Sequence, residues 1–362
     1  MKIGIVSSHH WPIPTPVHTG DIVLLDLAIA LTELGHECVM FAPAGTKAPG
    51  KLCEMPAALG ASTPTAEECE VATFNAYQAD LLRCDIVHDF STEKHISERL
   101  HQSGRPVTQT VFGGRWTCPG SPRNLVLQSH SHRKRMLAGQ TDYFGTPFPD
   151  LAGPGGPGIS DAHVAYNGID TDFYCPGDTP KASHWLWLGR WHPVRGFKLA
   201  IDIARATGIE LVMCGEDPRY MRWASEQRCA AEAFAYAGGL PNVRFEYLPP
   251  DPDHHTAKRE QYRMAKAFLL PTQFAEPFGL QQVEATACGT PVLSTDYGSM
   301  PELGLAEVVH NGLADFVEAV RSIESGRAFV AKDASIFTRR AMAERCLVEY
   351  QQVIDGKGWG GR

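Results

Sequence analysis

The chain has 362 residues, with 33 Lys and Arg against 41 Asp and Glu, a formal net charge of −8, and 43% hydrophobic residues. Those proportions suit a chain that folds by burying apolar side chains, and the length corresponds to two domains at about 150 residues each. The acidic balance excludes a general nucleic-acid binder, which needs a basic stripe to displace counterions, and no apolar run approaches the roughly 18 residues of a membrane span.

The first residues, Met-Lys-Ile-Gly-Ile-Val-Ser-Ser, turn polar at His9-His10, too early for the apolar core of a signal peptide, so a cytoplasmic setting is expected. Residues 3–6 read as a strand, and the Pro-, His- and Thr-rich segment up to Asp21 reads as loop. Leu24, Leu27, Ala28, Leu31 and Leu34 recur at helical spacing, predicting a helix over 22–34 with Asp21 as N-cap and Gly35 as its stop. Residues 38–42 form a second apolar run. Strand, helix and strand in this space make a βαβ unit with a parallel sheet. Further strands are expected at 85–88, 106–111 and 124–128. The basic run Ser129-His-Ser-His-Arg-Lys-Arg135 falls on a predicted helix. It reads as a solvated face, with an acidic lipid surface or an acceptor phosphate as the alternative contact, so peripheral membrane contact stays open. The Gly- and Pro-rich stretch 148–159 cannot be regular.

After Tyr166-Asn-Gly-Ile-Asp170 the pattern restarts, with strands at 183–188, 210–214, 268–271 and 291–294 and helices at 199–206 and from Gly279. A last helix over 337–353 carries Met342, Cys346 and Tyr350 four apart, so one stripe packs. Two α/β halves meeting near 167–182 place a ligand at the carboxyl ends of the strands, in the cleft between the halves. No Gly-x-Gly-x-x-Gly follows the first strand and no Gly-Lys-Ser/Thr occurs, which argues against a dinucleotide oxidoreductase and a P-loop enzyme. The ten cysteines never fall as Cys-x-x-Cys and read as reduced, small apolar packers. Of the fifteen histidines, six group at 9–10, 130 and 132, and 254–255, without carboxylates or thiolates at ligand spacing, so no metal is expected.

The most informative segment is Glu276-Pro-Phe-Gly-Leu-Gln-Gln-Val-Glu284. It reads as a strand end, a turn and a helix start, with one carboxylate before the helix and one inside it. Gly279 lets a ligand approach the backbone around Phe278, Gly279 and Leu280, and free amides at a helix N-terminus favour an anion. Glu284 is an acceptor suited to the paired hydroxyls of a ribose. Glu276 beside an anion site suits sugar hydroxyls; an acidic first turn is the structural alternative.

Two glutamates eight apart, with Phe-Gly-Leu between them and Ala-Thr-Ala-Cys-Gly-Thr-Pro-Val (285–292) after, resemble the retaining family 4 glycosyltransferases of the GT-B fold. Leu188-Gly189-Arg190-Trp-His-Pro-Val-Arg195-Gly196 resembles that family's donor-phosphate motif, with Arg195 in place of the usual Lys, and Asn167-Gly-Ile-Asp170 resembles its interdomain signature. The resemblance is close over about 160–305 and looser before. It implies an α/β architecture of two Rossmann-like parallel-sheet domains facing a central cleft. Their extents are 1–168 on the acceptor side and 169–338 on the donor side, with 339–362 crossing back onto the first domain. It further implies a metal-independent, cofactor-free enzyme that takes a nucleoside-diphosphate sugar as donor and a hydroxyl acceptor. Arg190 and Arg195 would neutralise the diphosphate, Glu276 would meet the transferred sugar, and Glu284 would hold the ribose. Gly189 would line the donor site, and Thr19 and Gly20 would face the phosphates, since the family's Gly-Gly falls on His18-Thr19 without gaps. In the first half the family has His-x-His where this chain has His88-Asp89-Phe90. His10, His88 and Asp89 are the acceptor-side candidates, His88 equally a satisfied strand-end residue. The alternatives are an epimerase or phosphorylase of the same fold, or a non-catalytic nucleotide-sugar-binding protein.

Overall fold

The computed structural model describes residues 1–14, 19–56, 65–112, 122–138, 162–221, 224–250, 253–310 and 312–358. Two compact units make up the chain, one of residues 1–168 with 337–362 and one of 169–336. The expected irregular stretch at 148–159 lies outside the described residues.

The first unit starts with β1 (Lys2–Val6), α1 (Thr19–Glu33), β2 (Glu37–Ala42) and β3 (Lys51–Glu54). It continues with α2 (Ala66–Leu82), β4 (Ile86–Asp89), α3 (His95–Gln102) and β5 (Val107–Gln109). The strands lie in the order β3-β2-β1-β4-β5 and all pair in parallel. Near-continuous burial along β1, β2 and β4 is what a sheet covered on both faces demands of its side chains. Helix α1 begins two residues before the expected cap, so Asp21 lies inside its first turn and is not the N-cap. It stops as expected at Gly35, whose φ of 86° lets His36 N–H return to the Leu31 carbonyl. A reciprocal capping box of Thr65 and Glu68 starts α2. Then come β6 (Val126–Leu127), α4 (His130–Leu137) and β7 (His163–Val164), the two strands pairing in parallel.

The second unit has β8 (Trp185–Leu188), a 3-10 turn at Pro193–Arg195, α5 (Phe197–Thr207), β9 (Leu211–Glu216), α6 (Ala224–Ala237) and β10 (Val243–Leu248). It is completed by α7 (His254–Met264), β11 (Ala267–Leu270), α8 (Leu280–Ala287), β12 (Val292–Thr295), α9 (Met300–Leu303), β13 (Ala306–Val309) and α10 (Leu313–Glu324). The sheet order is β10-β9-β8-β11-β12-β13, again parallel throughout. Trp185, Trp187, Trp191, Phe197 and Ile201 anchor its core. The last helix, α11 (Arg339–Ile354), belongs to the first unit, where it buries Met342, Cys346, Tyr350 and Val353, the stripe read from the sequence.

Each sheet reverses its winding once. From β1 the chain winds outward through β2 and β3, then returns to β4 on the other side of β1; from β8 it winds through β9 and β10, then returns to β11. The crevices outside the carboxyl ends of β1/β4 and β8/β11 are therefore the topological switch points, where parallel α/β sheets place ligands.

Candidate functional site

In the second unit, the residues leaving the switch point are Gly189 and Arg190 after β8 and residues 271–279 after β11. The intervening turn is fastened to the sheet by its indoles: Trp187 Nε1 donates to the Arg195 carbonyl at 3.0 Å, and Trp191 Nε1 donates to that of Glu216 at 3.0 Å. Gln273 N–H donates to the Val194 carbonyl at 2.6 Å. Gly196, at a φ of 73°, is pressed against the Pro271 carbonyl so closely that a Cβ there would overlap it. The sequence thus brings Arg195 against the segment carrying Glu276. Arg195 Nη1 donates to Glu276 Oε2 at 2.7 Å, and its guanidinium lies 4.9 Å from the centre of the Phe274 ring. Arg190, the more exposed of the two arginines, faces Glu226 with Nη1 3.7 Å from Oε1. Burial lowers the His192 pKa, and the neighbouring Arg190 and Arg195 charges lower it further, which reports the local positive field.

Gly279 adopts a φ of 83°, and α8 starts there with no side-chain cap, the Gln282 N–H turning back to the Gly279 carbonyl at 3.1 Å. Around it, Ser299 Oγ donates to the Phe278 carbonyl at 2.7 Å, and Gln281 Nε2 donates to the Leu188 carbonyl at 2.9 Å, tying α8 to the end of β8. Phe278 is buried beneath the turn and Leu280 opens the helix. One turn into α8, the Glu284 carboxylate is buried between two side chains of α7. Lys258 Nζ lies 2.8 Å from Oε1 and 2.6 Å from Oε2, and the Tyr262 hydroxyl donates to Oε2 at 3.2 Å. Burial and then the Glu284 charge push the Tyr262 pKa well above that of a free phenol, keeping it a donor. The sequence reading missed Lys258 and Tyr262. Their signal was a buried pair spaced four apart on one helix face, whose partner lies on another helix.

At the switch point of the first unit, His88 and Asp89 end β4. His88 is fully buried, with Nδ1 2.7 Å from the Tyr350 hydroxyl and Nε2 2.8 Å from Thr110 Oγ1. Thr110 Oγ1 itself donates to the Val126 carbonyl, so Nε2 carries the hydrogen and Nδ1 accepts from the tyrosine. Burial and then Lys94 hold the His88 pKa well below its ordinary value. This neutral imidazole pins α11 to β4, the strand-end role. Asp89 is equally buried: its carboxylate accepts from the Ser91 and Ser97 amides, with Lys94 Nζ 3.9 Å away. Neither side chain is presented to an acceptor, because each has its polar atoms engaged inside the unit. His10 is exposed, its ring 4.0 Å from that of His9. Gly20, in the first turn of α1, touches Phe112 so closely that a Cβ would lie 2.8 Å from the ring. Phe90, where the family motif has histidine, stacks on Phe112 at 5.6 Å. Asp21 follows, its pKa raised by burial to about 6, with the Ser8 hydroxyl 3.4 Å from Oδ1. The side chain of Thr19 and residues 15–18 lie outside the described residues. The nine described cysteines are free, and among the described residues no helix is long and apolar enough to cross a membrane.

Residues 181–329 match the family model described as glycosyl transferases group 1. Among curated relatives, the chain is 26% identical over 213 residues to a D-inositol 3-phosphate glycosyltransferase of Mycobacteroides abscessus, covering 53% of this chain and 46% of that one. It is 31% identical over 152 residues to the enzyme of that description from Mycobacterium bovis, covering 38% of this chain and 30% of the relative. The match thus spans less than half the length of these relatives. Among solved structures, AviGT4, a glycosyltransferase involved in avilamycin A biosynthesis, superposes with a TM-score of 0.69 at 20% identity, covering 99% of both chains. Sucrose-phosphate synthase from Thermosynechococcus elongatus gives 0.65 at 16% identity, over 98% of this chain and 95% of that one. Anabaena HepE in complex with UDP and glucose gives 0.60 at 14% identity, over 99% and 97%. The fold is of the GT-B type.

Proposed function

We propose that the chain is a glycosyltransferase that moves a sugar from a nucleoside-diphosphate sugar to a hydroxyl acceptor, with retention of anomeric configuration and without a metal. The observation that carries this reading is the cluster at the β8/β11 switch point, where Arg195 is bonded to Glu276 beside the uncapped start of α8. The match of the second unit to the group 1 model supports it, as do the UDP and UDP-glucose held by the HepE structures.

In this reading the departing diphosphate takes the electron pair of the broken C1–O bond, and the arginines and the α8 amides are already aimed at the charge that develops. A preorganised cation stabilises that anion more in the transition state than in the intact donor, which is what accelerates the reaction. The acceptor oxygen bonds to C1 on the face the diphosphate leaves, and its proton passes to the leaving phosphate oxygen. Glu276 orients the transferred sugar through its hydroxyls and holds the Arg195 fork.

The test is release of nucleotide from UDP-, GDP-, ADP- and dTDP-sugars, with Arg190→Ala and Glu276→Ala as controls. Turnover that requires an added hydroxyl acceptor and yields a product of unchanged anomeric configuration is expected. Turnover without acceptor that changes the configuration of a sugar carbon identifies an epimerase, turnover to a sugar phosphate a phosphorylase, and binding without turnover a carrier. Excess EDTA is expected to leave the rate within about twofold; abolition by EDTA that is reversed by a divalent cation overturns metal independence.

A further inference from the structure

We propose that Lys258, together with Tyr262, is a positioning residue for the donor: the two hold the Glu284 carboxylate, one at each oxygen, so that its remaining acceptor positions read the ribose hydroxyls. This rests on the reading above, in which Glu284 meets the ribose. Lys258 and Tyr262 lie one turn apart on α7, so both side chains stand on the same face. Lys258, Tyr262 and Glu284 are all more than nine-tenths buried, and a lysine placed there has a specific partner, since burial of an isolated ammonium is too costly to persist.

The hydrogen bonds fix which lone pairs remain. A carboxylate offers about two acceptor positions on each oxygen. Lys258 Nζ takes one on Oε1, and the Tyr262 hydroxyl takes one on Oε2, which also lies 2.6 Å from the ammonium as its ion-pair partner. Each oxygen is fastened by one donor and keeps one acceptor position for a hydroxyl. The clamp is itself anchored: the Tyr262 carbonyl accepts from Thr290 Oγ1, just beyond α8, and Lys181 Nζ bonds Thr290 Oγ1 at 2.5 Å. Helix α7 and the end of α8 therefore move together, and the carboxylate between them has one orientation. A ligand hydroxyl meets an oxygen already oriented, with no rotamer to freeze. Lys258 also offsets the charge of a carboxylate that lies close to a diphosphate site.

The experiment is calorimetric binding of UDP, GDP and ADP, each against its 2′-deoxy and 3′-deoxy counterpart, to the full chain and its variants. Wild type is expected to prefer the ribonucleotide over one of the two deoxy forms by at least about tenfold, since a site built to bond a hydroxyl leaves a buried acceptor unpaired without it. Glu284→Gln and Lys258→Met are both expected to bring that ratio within about threefold, and Lys258→Arg to recover part of it. Tyr262→Phe, which removes only the hydroxyl on Oε2, is expected to reduce the ratio about threefold, and it decides the matter if Lys258→Met does not fold. If wild type prefers the ribonucleotide and Glu284→Gln abolishes the preference while Lys258→Met, or in its place Tyr262→Phe, keeps it, the clamp is merely structural and the proposal falls while the ribose reading stands. Equal binding of ribo and deoxy forms by wild type, or a preference that survives Glu284→Gln, sinks the ribose reading and the proposal with it.

Discussion

Arg195 is held from three sides, by the Trp187 indole on its carbonyl, the Phe274 ring beneath its guanidinium and the Glu276 carboxylate at Nη1. A side chain fixed in this way stabilises a developing anion without reorganising. Arg195→Ala is therefore expected to lower kcat by about 10²- to 10³-fold, read as nucleotide release under saturating donor. Arg195→Lys keeps the charge but not the planar fork and is expected to fall between the two; a rate for Arg195→Ala within threefold of wild type refutes the assignment. Arg190, Arg195, Glu276 and Glu284 were singled out in the sequence by the family resemblance of the segments that carry them, whereas the pairing of Arg195 with Glu276, 81 residues apart, was not visible there. Lys258 was not singled out, because its partner lies 26 residues further along the chain. The strand-end role of His88 was legible only as one of two readings, since its ring partners are 22 and 262 residues away.

Elements set how those residues are presented. Gly279 is required by its φ of 83°, while the Met300 methyl that a Cβ would meet is the end of a flexible side chain that can shift. Gly279→Ala is expected to cost about 1–3 kcal/mol in stability and to weaken nucleotide binding by displacing the first turn of α8, both measurable by thermal unfolding with and without UDP. A melting temperature equal to wild type counts against the strain. Helix α11 carries a pH dependence of its own. Glu349 is buried with Oε1 unpartnered, its pKa raised by burial to about 7. The neighbouring His163, 3.7 Å away, is itself pushed toward neutrality by burial. Between the ordinary carboxylate value of 4.5 and about 7 the folded state keeps a proton that the unfolded chain has lost, so this group's contribution to stability falls as pH rises through that window. Glu349→Gln is expected to be more stable than wild type at pH 8, by at most about 3 kcal/mol, and the gain is expected to vanish near pH 4. The same offset at both pH values excludes titration as its cause. The strands of both sheet interiors were legible as apolar runs, since a parallel sheet buries both faces. Helix α2 was not, because it buries Glu70 and Thr73 alongside Phe74 and blurs the apolar period. Strand β10 was not either, since as a sheet edge it is only partly buried.

At the scale of the whole molecule, the net charge of −8 excluded a polyanion ligand and left open a small one. The structure sharpens that distinction, because three cations of the proposed donor cluster each face a carboxylate: Arg190 faces Glu226, Arg195 faces Glu276 and Lys258 faces Glu284. The cluster is thus close to neutral before a diphosphate arrives and collects few counterions to release. Binding that neutralises many phosphates loses about 10³- to 10⁵-fold in affinity between 50 and 200 mM salt. A diphosphate gripped by two arginines and helix amides is short, and the amides carry no counterions at all. Nucleoside-diphosphate affinity is therefore expected to fall by less than about tenfold over that range, and the chain is expected not to be retained on a heparin column at 150 mM salt. A steep salt dependence, or heparin binding that competes with UDP, would place the ligand on an extended basic surface instead of this paired cluster.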